Sequence, residues 1–494
     1  MMSICWEPSL AQTQATTFED VVQIARRLST KTYIDPSSAL PDAWKDLDYD
    51  DYRKITFRNK RALWKGDSLF ELEFFHPGFY YDQPVRINVI DQDETSAVPY
   101  SADLFDFGDL DTSEMPTDGL GFAGFRINYP LNSIQNHEFA VFLGASYFRV
   151  VGREQRYGLS LRGLAVNTAT GGGEEFPVFR EFWIQRPSPT ATTLTLYALL
   201  DGPSITGAYR FVLRPSTISQ VDVKAVLFPR RDIAKLGIAP LTSMFFYGED
   251  HTYRVDDFRP EVHDSDGLMM QSSGGEWLWR PLVNRRNLSI SSFFDTNPRG
   301  FGLSQRDRDF NNYQDFEALY HQRASVWVQP LSDWGAGRVE LVEIPTDQEI
   351  NDNIVAYWVP QQPVTGGQRL EFSYVANAYL DHADWPPGGR SEATRTGSAR
   401  HAAQQQPADS RLFVIDFAQG DLPALSETQP VTAVVSASSG SISEPIVQKN
   451  EHTGGWRVFF YFHPEGSDAA DLRCFLKLRD AVLTETWNYL WKRQ

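Results

Sequence analysis

Leu194–Phe228 reads LTLYALLDGPSITGAYRFVLRPSTISQVDVKAVLF. Three runs stand out: Leu194–Leu200, Tyr209–Pro215 and Val221–Phe228. Each is short, rich in β-branched and aromatic residues, and bounded by Gly, Pro, Asp or Ser, which is the signature of successive strands. The same pattern recurs upstream at Leu69–Phe75, Val85–Ile90, Gly124–Pro130 and Tyr147–Val151. Strands at this density predict an all-β chain built on a large N-terminal multi-stranded β-sandwich. Helix is scarce. Thr17 and Asp20 have capping-box spacing, with Asp in place of the usual Glu, ahead of Phe18, Val21, Val22, Ala25 and Leu28 at helical spacing. A second helical candidate spans Asp315–His321.

Downstream, Pro360–Gly367 (PQQPVTGG) carries prolines and glycines and no large apolar residue, and reads as a linker. About seven strand-like runs follow, beginning with Arg369–Leu380, in a length typical of an immunoglobulin-like sandwich. The expected organisation is therefore a disordered start or signal remnant over 1–16, a β-sandwich domain over 17–361, and a smaller immunoglobulin-like domain over 366–494. Within the last, Pro386–Asp409 is expected to be a long loop. No repeat of fixed period occurs.

Composition narrows the function. A net charge of −18 and a pI near 5.0 argue against nucleic acid and anionic membrane surfaces, both of which need a basic face. An acidic chain with 13 Trp, 20 Tyr and 33 Phe suits a neutral, hydroxyl-rich ligand, although the same aromatics would serve large cores. Two cysteines, Cys5 and Cys474, give no basis for a structural disulfide. No apolar run is long enough to span a membrane. Ser9–Ala15 (SLAQTQA) looks like the small-residue end of an export signal, without the basic and apolar regions that precede one. Either the start lies too far downstream or the likeness is accidental.

Asp257–Arg308 mixes acids, arginines, glycines and aromatics with no helical period: DFRPEVHDSDGLMMQSSGGEWLWRPLVNRRNLSISSFFDTNPRGFGLSQRDR. Such a mixture suits a cleft in which flat apolar faces stack on a sugar while polar groups read its hydroxyls. Trp277, Trp279, Tyr320 and Trp358 are candidate platforms, with Arg280 and Arg306 as hydroxyl readers; core packing is the competing reading for Trp279 and Trp358. Among local motifs, Gly119–Gly124 spells a dinucleotide fingerprint but lacks the strand before it and the helix after it. His263–Gly267 (HDSDG) resembles part of a calcium loop, yet Val262 and Ser273 stand where acids are required. No zinc or nucleophile-elbow motif occurs, so no metal and no cofactor is expected. Carboxylates remain. Asp264 lies in an aromatic-flanked turn, and Asp352 lies in EIPTDQEINDNIVAYW beside Asp347 and Glu349. Glycoside hydrolysis needs one carboxyl group to protonate the leaving oxygen and another to activate water. The competing reading pairs each acid with an arginine such as Arg280, Arg299, Arg306 or Arg308.

Long segments of the chain resemble the periplasmic glucan biosynthesis family. They include Leu120–Asn132, Leu143–Gly152, Tyr157–Thr168, Arg259–Leu268, Gly275–Leu282, Asn297–Phe310, Gly337–Trp358 and Leu483–Leu490, in order along the chain. The resemblance implies a periplasmic protein, the two-sandwich architecture and a β-1,2-glucan ligand. Some members are inverting endo-hydrolases of that polymer. By the resemblance Asp352 is the general acid and Asp264 the base, acting through a chain of waters. Asp266 fits that role less well because relatives replace it by Asn, and Tyr320 lies near the glucan. The family's counterpart of Pro386–Asp409 closes over the site from a partner subunit, which implies a homodimer. A scaffold that assists a membrane glucan synthase is the alternative function, and a lyase or epimerase is a third. For an inverting site the two carboxyl groups are expected about 6.5–9.5 Å apart or more, too far for direct attack on the sugar. Asp352 is expected in apolar surroundings made by Ile354, Val355, Tyr357 and Trp358.

Overall fold

The computed structural model describes residues 13–14, 16–133, 137–144, 146–251, 255–399 and 406–493. Nearly all of the regular structure is β. Leu194–Asp201, Ile205–Arg214 and Ser219–Pro229 form consecutive antiparallel ribbons in the middle of a 16-stranded sheet. A 10-stranded sheet faces it. Alternate side chains from both sheets, among them Phe125, Phe142, Phe148, Phe182, Phe211, Leu241 and Ile354, interdigitate as one apolar core, the arrangement that period-2 patterning dictates for a sandwich.

Helix Phe18–Ser29 starts at the Thr17 capping box, with Asp20 as its N3 partner. Its buried stripe of Val21, Val22 and Ala25 lies on the outer face of the larger sheet, against Tyr197, Leu199 and Phe228. The Asp315–His321 helix is absent. In its place stand two 3₁₀ turns, Phe310–Asn312 and Tyr320–Gln322, because Leu319 adopts a left-handed conformation that ends any helical run.

The strand Leu370–Tyr379, expected to open the smaller unit, belongs instead to the large sandwich. It inserts between Ser219–Pro229 and Ser325–Pro330, antiparallel to both, and buries Phe372, Tyr374, Ala376 and Ala378 in the large core. The chain break at Pro360–Gly367 is thus a connection between sheets, and the crossing to the smaller unit comes after Tyr379. That unit is itself a two-layer sandwich. A five-stranded sheet containing Arg390–Ser398, Arg411–Ala418 and Trp456–His463 faces Val431–Ala437, Ala469–Leu478 and Thr486–Lys492.

The two units also share a sheet. Thr486–Lys492 pairs in parallel with Trp277–Pro281, so the 16-stranded sheet runs from the large sandwich into the smaller one. Pro386–Asp409 is only partly a loop: Arg390–Ser398 is a strand in register with Arg411–Ala418, and 400–405 lie outside the described residues. Cys5 and most of 1–16 also lie outside them, while Thr13 and Gln14 pair with Thr95 and Glu94. Cys474 is buried and free. No helix among the described residues is long and apolar enough to cross a membrane.

Candidate active site

Asp264 follows the short strand Val262–His263, which pairs with Phe245–Tyr247. Its backbone N–H donates to the Met244 carbonyl at 2.8 Å. The neighbours of Asp264 fix its direction. His263 is fully buried, stacked on Phe245 with ring centroids 5.2 Å apart. Its Nδ1 faces Gln305 Oε1 and its Nε2 faces Glu261 Oε2, each at 2.9 Å, and Asp266 lies 3.3 Å from Nδ1. Gln305 donates its amide to the His263 carbonyl at 2.9 Å, so its oxygen is free to accept. Both ring nitrogens therefore face acceptors, which only an imidazolium satisfies. Burial works against that charge, but Asp266 and Glu261 outweigh it and push the pKa up to about 10. Asp266 is further engaged by the backbone N–H groups of Arg306 and Asp307.

With His263 and Asp266 turned to one side, the Asp264 carboxylate points to the other, where it is ion-paired with Arg323. Asp264 is only 4% exposed. Burial raises its pKa, the positive charges of Arg323 and Arg149 oppose that rise, and the negative charge of Asp352 reinforces it. Asp352 thus lies near enough to Asp264 to act on it electrostatically. Arg323 also covers the Tyr320 ring, 4.4 Å from its centroid, and donates to the Ala318 carbonyl at 3.1 Å. Tyr320 is buried among Met244, Tyr247, Val262 and Tyr313, so the structure brings Asp264, Asp352 and Tyr320 together.

Asp352 stands on the loop ahead of the strand Ile354–Pro360 and is exposed. The next residue anchors this loop: the Asn353 side chain bonds both backbone groups of Phe245, at 2.8 and 3.0 Å, and the Ile344 carbonyl at 3.1 Å. The apolar surroundings expected for Asp352 are not there. Ile354 and Trp358 face the main core, while Tyr357 packs with Val342 on the opposite face of the strand.

Four of the expected sugar-binding residues are committed elsewhere. Trp358 is 0% exposed and packs on Trp334 inside the sandwich. Trp279 lies 3% exposed in the core shared with the smaller unit, with the Arg306 guanidinium 3.5 Å above its ring. Arg306 is held by Glu485 at 2.5 and 2.9 Å. Arg280 is 1% exposed and bonded to Asn488 at 2.5 Å and Ser291 at 3.0 Å. All three of Trp279, Arg280 and Arg306 join the large sandwich to the smaller one. Trp277 is half-buried, stacked on Trp327 at 5.3 Å. The arginines first considered as partners for the acids are also elsewhere; Arg308 bonds the carbonyls of His321, Arg323 and Leu380.

Sequence reasoning missed a second polar group. On the strand Tyr147–Val150, Phe148 and Val150 enter the core, so Tyr147 and Arg149 occupy the opposite face. Arg162, on the adjacent strand, is the register partner of Tyr147. Arg149 stacks on Tyr147 at 5.3 Å, and burial, reinforced by Asp352, raises the Tyr147 phenol. Arg149 Nε and Arg162 Nε are buried with no hydrogen-bond partner among the described residues. The signal was present in YFRV: an apolar face alternating with Tyr and Arg.

Comparison with known families gives the same answer along almost the whole chain. The family described as "Periplasmic glucan biosynthesis protein, MdoG" matches residues 17–491. The chain belongs to this family. It is similar to Glucans biosynthesis protein G of Ralstonia nicotianae, at 47% identity over 98% of each chain. The protein of the same name from Vibrio cholerae serotype O1 is 43% identical, covering 97% of this chain and 88% of the relative. That from Rhodopseudomonas palustris is 46% identical, covering 95% and 92%. The MdoG match begins at the capping-box helix and ends within the last strand, so the family unit includes both sandwiches and the sheet that joins them.

Proposed function

We propose that this MdoG-family chain acts in periplasmic glucan biosynthesis as an inverting endo-hydrolase of β-1,2-glucan, with Asp352 as general acid and Asp264 as base. The observation that carries the reading is the electrostatic coupling of an enclosed, arginine-paired carboxylate with an exposed one at the same site. An exposed Asp352 can reach a glycosidic oxygen. Asp264 is too enclosed to touch a sugar directly, so a water must carry the proton. In the proposed step, Asp352 protonates the leaving oxygen as its bond to the anomeric carbon breaks. Water attacks that carbon from the opposite face, and its proton passes to Asp264. The positive charge of Arg323 opposes the burial-driven rise of Asp264 and so favours the charged form needed to accept it. Tyr147, Arg149 and Arg162 would orient the glucan, with Tyr320 buried behind Arg323 as its support.

The experiment is incubation with linear β-1,2-glucan, read as new reducing ends, with the anomer followed by time-resolved NMR. New ends of inverted configuration are expected, and Asp352→Asn is expected to abolish them while glucan binding persists. Retained configuration, or full turnover by Asp352→Asn, defeats the mechanism. A second reading, a non-catalytic glucan-binding scaffold that assists a membrane glucan synthase, is favoured by the relatives' names, which state glucan biosynthesis. Binding without new ends would select it. A homodimer with a shared loop remains part of the proposal.

A further inference from the structure

A second cavity lies apart from the site just described. It has a volume of about 610 Å³ and lies where the two units meet, within the range typical of small-molecule sites. Its lining shares no residue with the candidate active site. The floor is aromatic, made by Phe413, Tyr489 and Trp491, and the walls are basic. Arg285, Arg286, Arg411, Lys492 and Arg493 converge on it from three separate segments, against the carboxylates of Asp250 and Asp409. This is a concentrated positive field in a chain of net charge −18.

Two of the five cations are already neutralised. Arg285 pairs with buried Glu343 at 2.6 Å, and Arg493 lies 3.4 Å from Asp468 and 4.0 Å from Asp409. Arg286, Arg411 and Lys492 have no carboxylate partner among the described residues. Arg411 Nη2 reaches only the Thr396 hydroxyl, at 3.1 Å, and Lys492 Nζ only the Ser289 hydroxyl, at 3.0 Å. Burial lowers the pKa of both, and Arg285 adds to that effect on Lys492. Asp250 supplies little compensation, since burial pushes it up to about 7. Low-dielectric walls carrying one sign of charge focus the field on a ligand of the opposite sign.

We propose that this seam cavity is a binding site for a phosphomonoester carried on a sugar or polyol. A monocarboxylate would leave most of three cations uncompensated, whereas a phosphomonoester brings about −1.5 to −2 charges near pH 7 and three acceptor oxygens. The aromatic floor and the volume leave room for a sugar ring behind the phosphate. The site bridges the two units, so its occupation would tie them together.

The test is calorimetric titration of the whole chain at low salt with glucose 6-phosphate, inorganic phosphate, glucuronate and glucose. Glucose 6-phosphate is expected to bind, inorganic phosphate more weakly, glucuronate at least about tenfold more weakly, and glucose not at all. Arg286 is exposed, so Arg286→Gln leaves folding intact. It is expected to weaken glucose 6-phosphate several-fold, and Arg286→Gln with Lys492→Gln to remove binding, while Asp352→Asn has no effect. The proposal is overturned if neither phosphate binds at millimolar concentration, or if the double variant binds as the parent does. Equal affinity for inorganic phosphate and glucose 6-phosphate would reduce the site to an anion contact and overturn the sugar assignment. Loss of hydrolysis by Asp352→Asn reports only on the active site, so the two proposals fail separately.

Discussion

Trp279→Ala separates a seam residue from a sugar platform. The indole is buried between the units, opposite Trp487 in the parallel register and beneath Arg306. A Cβ on Gly267 would lie only 2.4 Å from the Trp279 ring, so the ring has no slack. Truncating a buried Trp costs about 3–5 kcal/mol through lost burial and cavity formation. The cation–π contact adds about 1–2 kcal/mol at a desolvated site. Arg306 keeps Glu485 and the Ser391 carbonyl at 3.0 Å, so no unpaired charge is created and no larger penalty applies. The total is about 4–7 kcal/mol. If the 494-residue chain unfolds as one unit, an unfolding entropy of about 2.1 cal/mol/K per residue converts this to a fall in Tm of about 4–7 °C. Calorimetric melting with parallel β-1,2-glucan titration checks it. The expected outcome is a lower Tm with unchanged glucan affinity. Weaker glucan binding at an unchanged Tm would refute the assignment of Trp279 to the seam.

Arg323→Gln removes the charge that opposes the burial-driven rise of Asp264, so the acid limb of the pH–rate profile is expected to move to higher pH. Because Asp264 is raised above its ordinary value, its contribution to stability is complete below that value and lost as pH rises through the folded one. Arg323→Gln should therefore lose stability relative to the parent as pH rises, and adding Asp264→Asn should restore stability without restoring activity. An unmoved limb would take Arg323 out of the mechanism. Arg149→Gln is expected to weaken glucan affinity by roughly tenfold, the worth of a charge-assisted hydrogen bond, with little change in Tm; unchanged affinity would remove that strand face from the site. His263, held at about 10, contributes stability that is complete below 6.5 and lost as pH rises through 10. Melting curves of His263→Gln should lack that component of the alkaline decline, and parallel curves for variant and parent would contradict the imidazolium.

The strands were legible because their pattern is local: each run carries its own alternation and its own turn residues. Leu370–Tyr379 was assigned to the wrong unit because a strand's sequence does not state which neighbours it pairs with, and the Pro/Gly connection before it marks a change of sheet as readily as a change of domain. Asp264 and Asp352 were singled out through the family resemblance, and their roles are proposed above. The places of the aromatics were not legible. Trp279 and Trp358 sit in runs of the same composition as a sugar platform, and only their three-dimensional neighbours show both of their faces covered. The partner of Asp264 was equally hidden, since Arg323 lies 59 residues away in sequence and outside the segment that looked self-sufficient.

What holds the site together is ionic where the sandwich cannot help. Asp264, Tyr320 and Asp352 stand on three connections, whose own apolar cluster of Met244, Tyr247, Val262, Tyr313 and Tyr320 is small. Arg259 links them. It pairs with Asp257 at 2.7 Å in its own turn, with Asp315 at 3.0 Å in the segment leading to Tyr320, and with Glu349 at 2.6 Å in the loop of Asp352. Its side chain is 13% exposed, so these pairs are partly shielded from solvent and exceed the small worth of exposed bridges. Asp315 in turn accepts from the N–H groups of Glu317 and Ala318, at 2.8 and 2.7 Å, which fixes the turn before Leu319. Three loops bound to one guanidinium have fewer ways to separate than three held pairwise, which keeps the segments that carry Asp264, Tyr320 and Asp352 together before any ligand arrives.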